Sequence, residues 1–332
     1  MIRVSHQEWV RVCSQILSAR GMPSDDAASM ARLMVDSDAA GHESHGLWRL
    51  PQYIDDIERG LVNVSARPTI EEDRGAWVRI HGDHGFGHLV LAYARDLAIS
   101  RARRFGVSAV AVRRSAFAGR LADFCEVAST ENAMIVVVAN DAGGGQAVAP
   151  HGGSEARLST NPIAAGIPRV GAPLVIDMAT SVVASGRLGE HGDRGEAVPE
   201  HWRTSAGALR PAGGPKGYAL ALIVEALAGG LTRAGTVRRD PGVEDQGALV
   251  IAFDLGDPTS AADFKEDVEG FLEWVLSSRP EHPDAPVLLP GQRATRTREE
   301  RLRSGIPVTA STFDRIARLC DLYDVPAAQT MP

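Results

Sequence analysis

His45, Arg49 and Tyr53 stand four residues apart, directly after Ser44. If a helix begins near Ser44, positions i, i+4 and i+8 share one face, so an imidazole, a guanidinium and a phenol line one stripe. Three polar side chains on a single stripe make poor core material. An imidazole exchanges a proton with a developing alkoxide, a guanidinium grips a carboxylate through two parallel hydrogen bonds, and a phenol adds a third contact. The spacing therefore describes a site for a small carboxylate. His45 and Ser44 are its catalytic candidates, and Arg49 and Tyr53 its substrate-binding ones. A solvated helix face paired with Asp55, Asp56 and Glu58 is the competing reading of the same letters.

The elements that must position these groups follow from periodicity. Ser5-His6-Gln7-Glu8 has capping-box spacing and precedes Trp9, Val10, Cys13, Ile16 and Leu17 on one stripe that stops at Gly21. A second helix runs from Pro23-Ser24 towards Gly41, and a third covers the region from Ser44 to Gly60. From Ala76 the period changes. Short apolar runs at Trp77–Ile80, Val107–Val112, Met134–Ala139, Leu174–Ile176 and Leu249–Phe253 alternate with helical stretches such as Leu89–Phe105 and Tyr218–Leu231. That alternation predicts an α/β body. After Pro290-Gly291 the helical pattern returns, in Thr295–Ser304 and Ser311–Tyr323, and can pack back on the N-terminal helices. The expected division is a helical segment 1–75, an α/β body 76–290 and a helical tail 291–332.

Two tempting signals fail on spacing. His42-Glu43-Ser44-His45 lacks the i, i+4 histidine pair of a zinc-binding helix. The stretch His81-Gly82-Asp83-His84-Gly85-Phe86-Gly87-His88 lacks the third glycine of a dinucleotide fingerprint, and its glycines argue for a loop over a shared helix face. No metal is expected.

Composition excludes other classes. The 332 residues are 44% hydrophobic and 23% charged, ample for a large core without staples. A formal charge of −7 argues against a nucleic-acid partner. The arginine-rich run from Arg293 to Arg303 contains Glu299 and Glu300, and reads as a solvated helix face. Cys13, Cys125 and Cys320 are far apart in apolar helical patterns, which suggests buried thiols in a reducing compartment. With no signal-peptide core and no bilayer-length apolar run, a cytoplasmic protein is expected.

The run Ser44-His45-Gly46-Leu47-Trp48-Arg49-Leu50-Pro51-Gln52-Tyr53, followed by Gly60, resembles the signature of the type-2 malate/L-lactate dehydrogenase family. That family also includes ureidoglycolate and sulfolactate dehydrogenases and cyclic-imine reductases. Ala149-Pro150-His151-Gly152-Gly153, Ser159-Thr160-Asn161-Pro162, Asp177-Met178-Ala179-Thr180-Ser181 and Gly213-Gly214-Pro215-Lys216-Gly217-Tyr218 are similar to further family blocks in the same order. The resemblance implies a homodimer with a non-Rossmann layered α/β fold, in which NADH or NADPH reduces a 2-oxo acid or a cyclic imine carboxylate, or the reverse oxidation occurs. It implies cofactor contacts at Ser159, Thr160, Asn161, Asp177, Met178, Ala179 and Lys216.

Physical readings stand beside the family argument. Thr160-Asn161-Pro162 is a polar turn that can offer hydroxyl and amide groups to a nicotinamide carboxamide, although ordinary Asn-Pro turns share these letters. Asp177 ends an apolar run, where its carboxylate can orient His45 or cap a helix. Lys216 follows two glycines and opens an apolar helix, where backbone N–H groups and an ammonium can meet a phosphate, or where it is an exposed charge.

Departures from the family pattern limit what carries over. Family members carry a second histidine after the Val107–Val112 strand, in a Ser-x-His context, as a catalytic acid/base. Here Ser115-Ala116-Phe117 puts a phenyl ring in that place, and a phenyl ring exchanges no proton. Phe117 is thereby a substrate-pocket candidate. Arg187 stands where the family commonly has lysine, and the loop between Trp202 and Gly207 is short. Either His45 carries the acid/base role alone in a nicotinamide-dependent reductase, or the scaffold has been repurposed. A repurposed scaffold would catalyse a non-redox cyclisation, isomerisation or elimination with the cofactor lost or merely structural, and a third reading is a catalytically silent binding protein.

Overall fold

The computed structural model describes residues 1–142, 145–193, 195–239, 245–282 and 284–331. The chain opens with β1 (Ile2–Val4), α1 (His6–Ala19) and α2 (Ser24–Ala39), then two 3-10 turns, Glu43–His45 and Leu47–Arg49, and α3 (Leu50–Glu58). The body follows with β2 (Thr69–Asp73), β3 (Trp77–Gly85), α4 (Gly87–Phe105), β4 (Val107–Ser115), α5 (Ala122–Thr130), β5 (Ala133–Asp141), β6 (Ile163–Ile167) and β7 (Leu174–Met178). It continues through α6 (Ser185–Asp193), α7 (Pro215–Val224), a π-helical stretch Glu225–Leu231, β8 (Gln246–Asp254) and α8 (Pro258–Leu276). The tail is α9 (Gln292–Ser304), β9 (Ile306–Val308) and α10 (Ala310–Leu322).

Seven strands form one sheet in the order β2-β3-β4-β8-β5-β6-β7. Among the described pairs only β3 and β4 run parallel; the others are antiparallel. This is the expected non-Rossmann α/β body. Alternation along the strands sends side chains to two layers. Val110 and Val112 of β4 meet α4 and α5 in the main core, whereas Ala111 joins Leu249, Val224 and Ala228 on the opposite face.

A separate core joins the two ends of the chain. Ser5 caps α1 by accepting the Glu8 N–H at 3.2 Å, as its spacing predicts. Trp9, Ile16, Leu17, Met30 and Met34 pack with Ile306, Ile316 and Cys320 from the tail, and β1 pairs with β9. The arginine run is not wholly a solvated face: Arg298 pairs with Glu126 and Arg301 with Glu43, each at 2.7 Å. All three cysteines are buried and free. Among the described residues no helix is long and apolar enough to cross a membrane.

Candidate active site

Register brings the chemistry to one end of the sheet. Gly85 at the end of β3 pairs with Ser115 at the end of β4, which pairs with Gln246 at the start of β8. Gln246 meets Asp141 at the end of β5, and Ile163 at the start of β6 meets Met178 at the end of β7. His88 follows the first of these ends, Phe117 the second, and Asn161 and Asp177 flank the last pair. Loop 116–118 is held there by backbone donation from Ala116 to Gly85 at 2.9 Å and from Ala118 to Gln246 Oε1 at 3.1 Å.

The segment carrying His45, Arg49 and Tyr53 is not one helix, which corrects the reading from spacing. Two 3-10 turns hold the first two residues, and α3 begins only at Leu50. The break is at Gly46, whose φ of −108° and ψ of −137° lie outside helical space. A Cβ there would collide with the Asp38 carboxylate, so glycine is required for close approach. Asp38 is buried and accepts the Leu47 N–H at 2.5 Å, and burial pushes its carboxyl well above the usual range. Arg301 donates to the Asp38 backbone oxygen at 2.5 Å and pairs with Glu43. The tail helix thus helps to aim the turn.

The three side chains converge in spite of the broken helix, and Phe117 is at their centre. The Arg49 guanidinium lies 4.1 Å from the Phe117 ring centroid, and the His45, Tyr53 and His88 ring centroids lie 5.7, 6.4 and 6.3 Å from it. Arg49 is fixed by donation from Nε to the Ser44 carbonyl at 2.8 Å and from Nη1 to Gln52 Oε1 at 3.0 Å. No carboxylate pairs with it among the described residues. His45 Nδ1 lies 3.1 Å from Ser44 Oγ, which leaves Nε2 for a substrate oxygen. Burial first, and Arg49 second, hold the His45 imidazole down to about 3. It is neutral at pH 7, with one ring nitrogen unprotonated. Tyr53 is a core residue with its hydroxyl buried and unpartnered, and burial raises the phenol above its ordinary range.

His88 went unrecognised, because its glycine neighbours read as a loop. It is the second residue of α4, is 2% exposed, and neither ring nitrogen has a hydrogen-bond partner. Burial, with Arg49 second, holds it down to about 3. Its ring meets Tyr53 at 5.6 Å, and a Cβ at Gly119 would overlap its Nε2. The helical stretch expected from Leu89 begins two residues earlier, at Gly87, which brings His88 onto α4.

Asp177 corrects a second expectation. Its Oδ2 accepts the Ala122 N–H at 2.9 Å, capping α5 from the end of β7, and no described contact joins it to His45. Burial outweighs that bond and raises its carboxyl. Helix capping, the alternative reading, is what the fold uses.

The cofactor candidates form a second group. Thr180 donates its N–H and its hydroxyl to the Thr160 carbonyl, each at 2.9 Å, bringing Ser159, Thr160 and Asn161 beside Met178 and Ala179. Asn161 is fully buried at φ 36°, with Nδ2 donating to the Ala221 carbonyl and to Glu225 Oε2, each at 2.9 Å, and with Oδ1 unpartnered. Lys216 is exposed in the first turn of α7, where His151 approaches Gly214.

Comparison with known proteins decides the family. The malate/L-lactate dehydrogenase family matches residues 4–317. The chain belongs to the malate/L-lactate dehydrogenase family. It is 33% identical over 343 residues to the L-sulfolactate dehydrogenase of Methanothermobacter thermautotrophicus, covering 98% of each chain. The structure of malate dehydrogenase from Pyrococcus horikoshii superimposes with a TM-score of 0.86 at 29% identity, covering 98% of this chain and 97% of that one. Delta1-piperideine-2-carboxylate reductase from Pseudomonas syringae pvar. tomato gives 0.79 at 30% identity, covering 96% and 100%. Membership makes the chain an oxidoreductase of the dehydrogenase type, and the non-redox alternative gains no support.

Proposed function

We propose that this chain transfers hydride between a nicotinamide dinucleotide and the carbon that bears the oxygen, or the imine nitrogen, of a small carboxylate. The observation that carries this reading is Arg49: a guanidinium fixed by Ser44 and Gln52, paired with no described carboxylate, over Phe117 and beside His45.

In the oxidation direction Arg49 holds the substrate carboxylate by its fork, and neutral His45 takes the hydroxyl proton. In reduction the same nitrogen returns it. The substrate carboxylate offsets the Arg49 charge that depresses His45, so binding raises the imidazole towards protonation when it must act as a donor. Phe117 exchanges no proton; it closes one wall and excludes water, leaving His45 as the acid/base that meets substrate. Asp177 acts through the fold, anchoring α5 and the loop that carries Phe117.

The residues present fit the cofactor. Asn161 Oδ1 is a buried acceptor lacking a donor, and the exposed ammonium of Lys216 at the start of α7 suits a phosphate. The dinucleotide, when bound, supplies or accepts the hydride. Ser159, Thr160, Met178 and Ala179 would line its nicotinamide end. The substrate class is a 2-oxo or 2-hydroxy acid or a cyclic imine carboxylate, matching the names of the relatives. The three buried free thiols suit the cytoplasm, and a homodimer is the assembly that the family resemblance implies.

Calorimetric titration with NADH and with NADPH tests the reading. Micromolar or tighter binding of one, followed by turnover of a 2-oxo acid or cyclic imine from a panel, is expected. Binding of neither would overturn it.

A further inference from the structure

A buried carboxylate behind the cofactor group has no role in the proton chemistry above. Glu225 is 7% exposed and opens the π-helical stretch, a rare backbone form often found at functional sites. Its Oε1 accepts the Val237 N–H at 2.7 Å and Asn140 Nδ2 at 3.1 Å, and its Oε2 accepts Asn161 Nδ2 at 2.9 Å. No lysine or arginine pairs with it among the described residues. A buried carboxylate held by neutral donors without a cation costs stability, so its presence calls for a reason.

Asn161 supplies one. A primary amide has two N–H donors, and both are used, on Glu225 Oε2 and on the Ala221 carbonyl. Both partners are acceptors, so the flipped amide would set Oδ1 against two oxygens. Glu225 and the Ala221 carbonyl together dictate which way the amide points. The consequence is a buried Oδ1 without a donor, on a residue held at φ 36° immediately before β6.

We propose that Glu225 is a positioning residue for the cofactor, locking the Asn161 amide so that Oδ1 accepts from the N–H2 of the nicotinamide carboxamide. This rests on the nicotinamide-dependent reading given above. The complementary ligand group is a neutral N–H donor, and among the parts of a nicotinamide dinucleotide expected near Thr160 and Met178 the carboxamide provides one. In Glu225→Gln the new amide can donate to Asn161 Oδ1, which removes one of the two penalties on the flipped amide while the Ala221 carbonyl keeps the other, so the two orientations draw level and the lock is lost.

The test compares two cofactors by calorimetric Kd: NADH or NADPH, whichever binds, and its 3-acetylpyridine analogue, where a methyl group replaces the amide N–H2. Wild type is expected to favour the carboxamide cofactor by about tenfold, the size of one net hydrogen bond. In Glu225→Gln that preference falls to about one, while affinity for the acetylpyridine analogue stays within about twofold. Equal weakening of both cofactors would show a merely structural role and overturn the proposal, as would an unchanged preference. If Glu225→Gln fails to fold, Glu225→Asp, with the same charge one methylene shorter, must also reduce the preference. A wild type that binds neither cofactor removes the reading beneath the proposal, whereas one that binds both without preference removes the proposal alone.

Discussion

Arg49→Met removes the guanidinium while keeping a long apolar stem over Phe117. The fork is held before any substrate arrives, by Ser44 at 2.8 Å and Gln52 at 3.0 Å, and lies 4.1 Å from the Phe117 ring. A charge-assisted contact of this kind contributes about 2–4 kcal/mol, so kcat/KM should fall by about 30- to 1000-fold, largely through KM. The change reaches the pH profile too. Arg49 is the second cause of the low His45 value, so its removal lets the imidazole rise towards its ordinary range. For hydroxy-acid oxidation the wild-type kcat/KM should be flat from about pH 5 to 8, and the variant should lose rate as pH falls through a limb nearer the ordinary histidine value. Arg49→Lys keeps the charge but not the fork, so it should restore the flat profile while leaving KM raised. Initial rates on the best substrate of the panel, followed by nicotinamide absorbance, measure all three enzymes. A KM for Arg49→Met within about threefold of wild type would refute the carboxylate role.

Three further outcomes follow. His88 is held down to about 3 against an ordinary value of 6.5, so the unfolded chain binds the extra proton between those values. Its contribution to stability is complete above pH 6.5 and is lost as pH falls towards 3, about 2–3 kcal/mol of it by pH 4.5. Urea midpoints of wild type and His88→Gln at pH 7 and 4.5 check this, and equal pH slopes would contradict it. Gly46→Ala drives a methyl group into the Asp38 carboxylate, which should lower stability by about 2–4 kcal/mol and disorder the turn that aims His45; an unchanged thermal midpoint would count against that geometry. Phe117→His adds an imidazole beside His45 and should introduce a second limb in the kcat profile, with a rate gain of no more than about tenfold. A variant active where wild type is inactive would show that the natural chain had left hydride chemistry.

Most strands and helices were legible because their side-chain periods survive in the letters. Val110, Ala111 and Val112 alternate between two cores, and Trp9, Ile16 and Leu17 share one face of α1. What escaped depends on contacts between distant residues. Periodicity extends a helix through Gly46, but the Asp38 carboxylate pressing on that glycine forces the break. Asp177 chooses Ala122, fifty-five positions away, over His45, and spacing does not forecast that choice. β2, Thr-Ile-Glu-Glu-Asp, is a largely exposed edge strand without apolar alternation, so it carries no strand signature. The site was legible as residue types, since His45, Arg49, Tyr53 and Phe117 do converge. The buried polar surroundings of the candidate site, Asp38, His88 and Glu225, came only with the fold.

The central claim is hydride transfer at the Arg49 and His45 site, and isotope tracing tests it most directly. The protein would be incubated with nicotinamide cofactor deuterated at the transferring position and with the panel of 2-oxo acids and cyclic imines, and products read by mass spectrometry. The account predicts deuterium on the carbon that bore the oxygen or imine nitrogen, formed about 30- to 1000-fold more slowly by Arg49→Met at substrate concentrations below KM. Bound cofactor with no deuterium in any product, or product formed without it, would contradict the account.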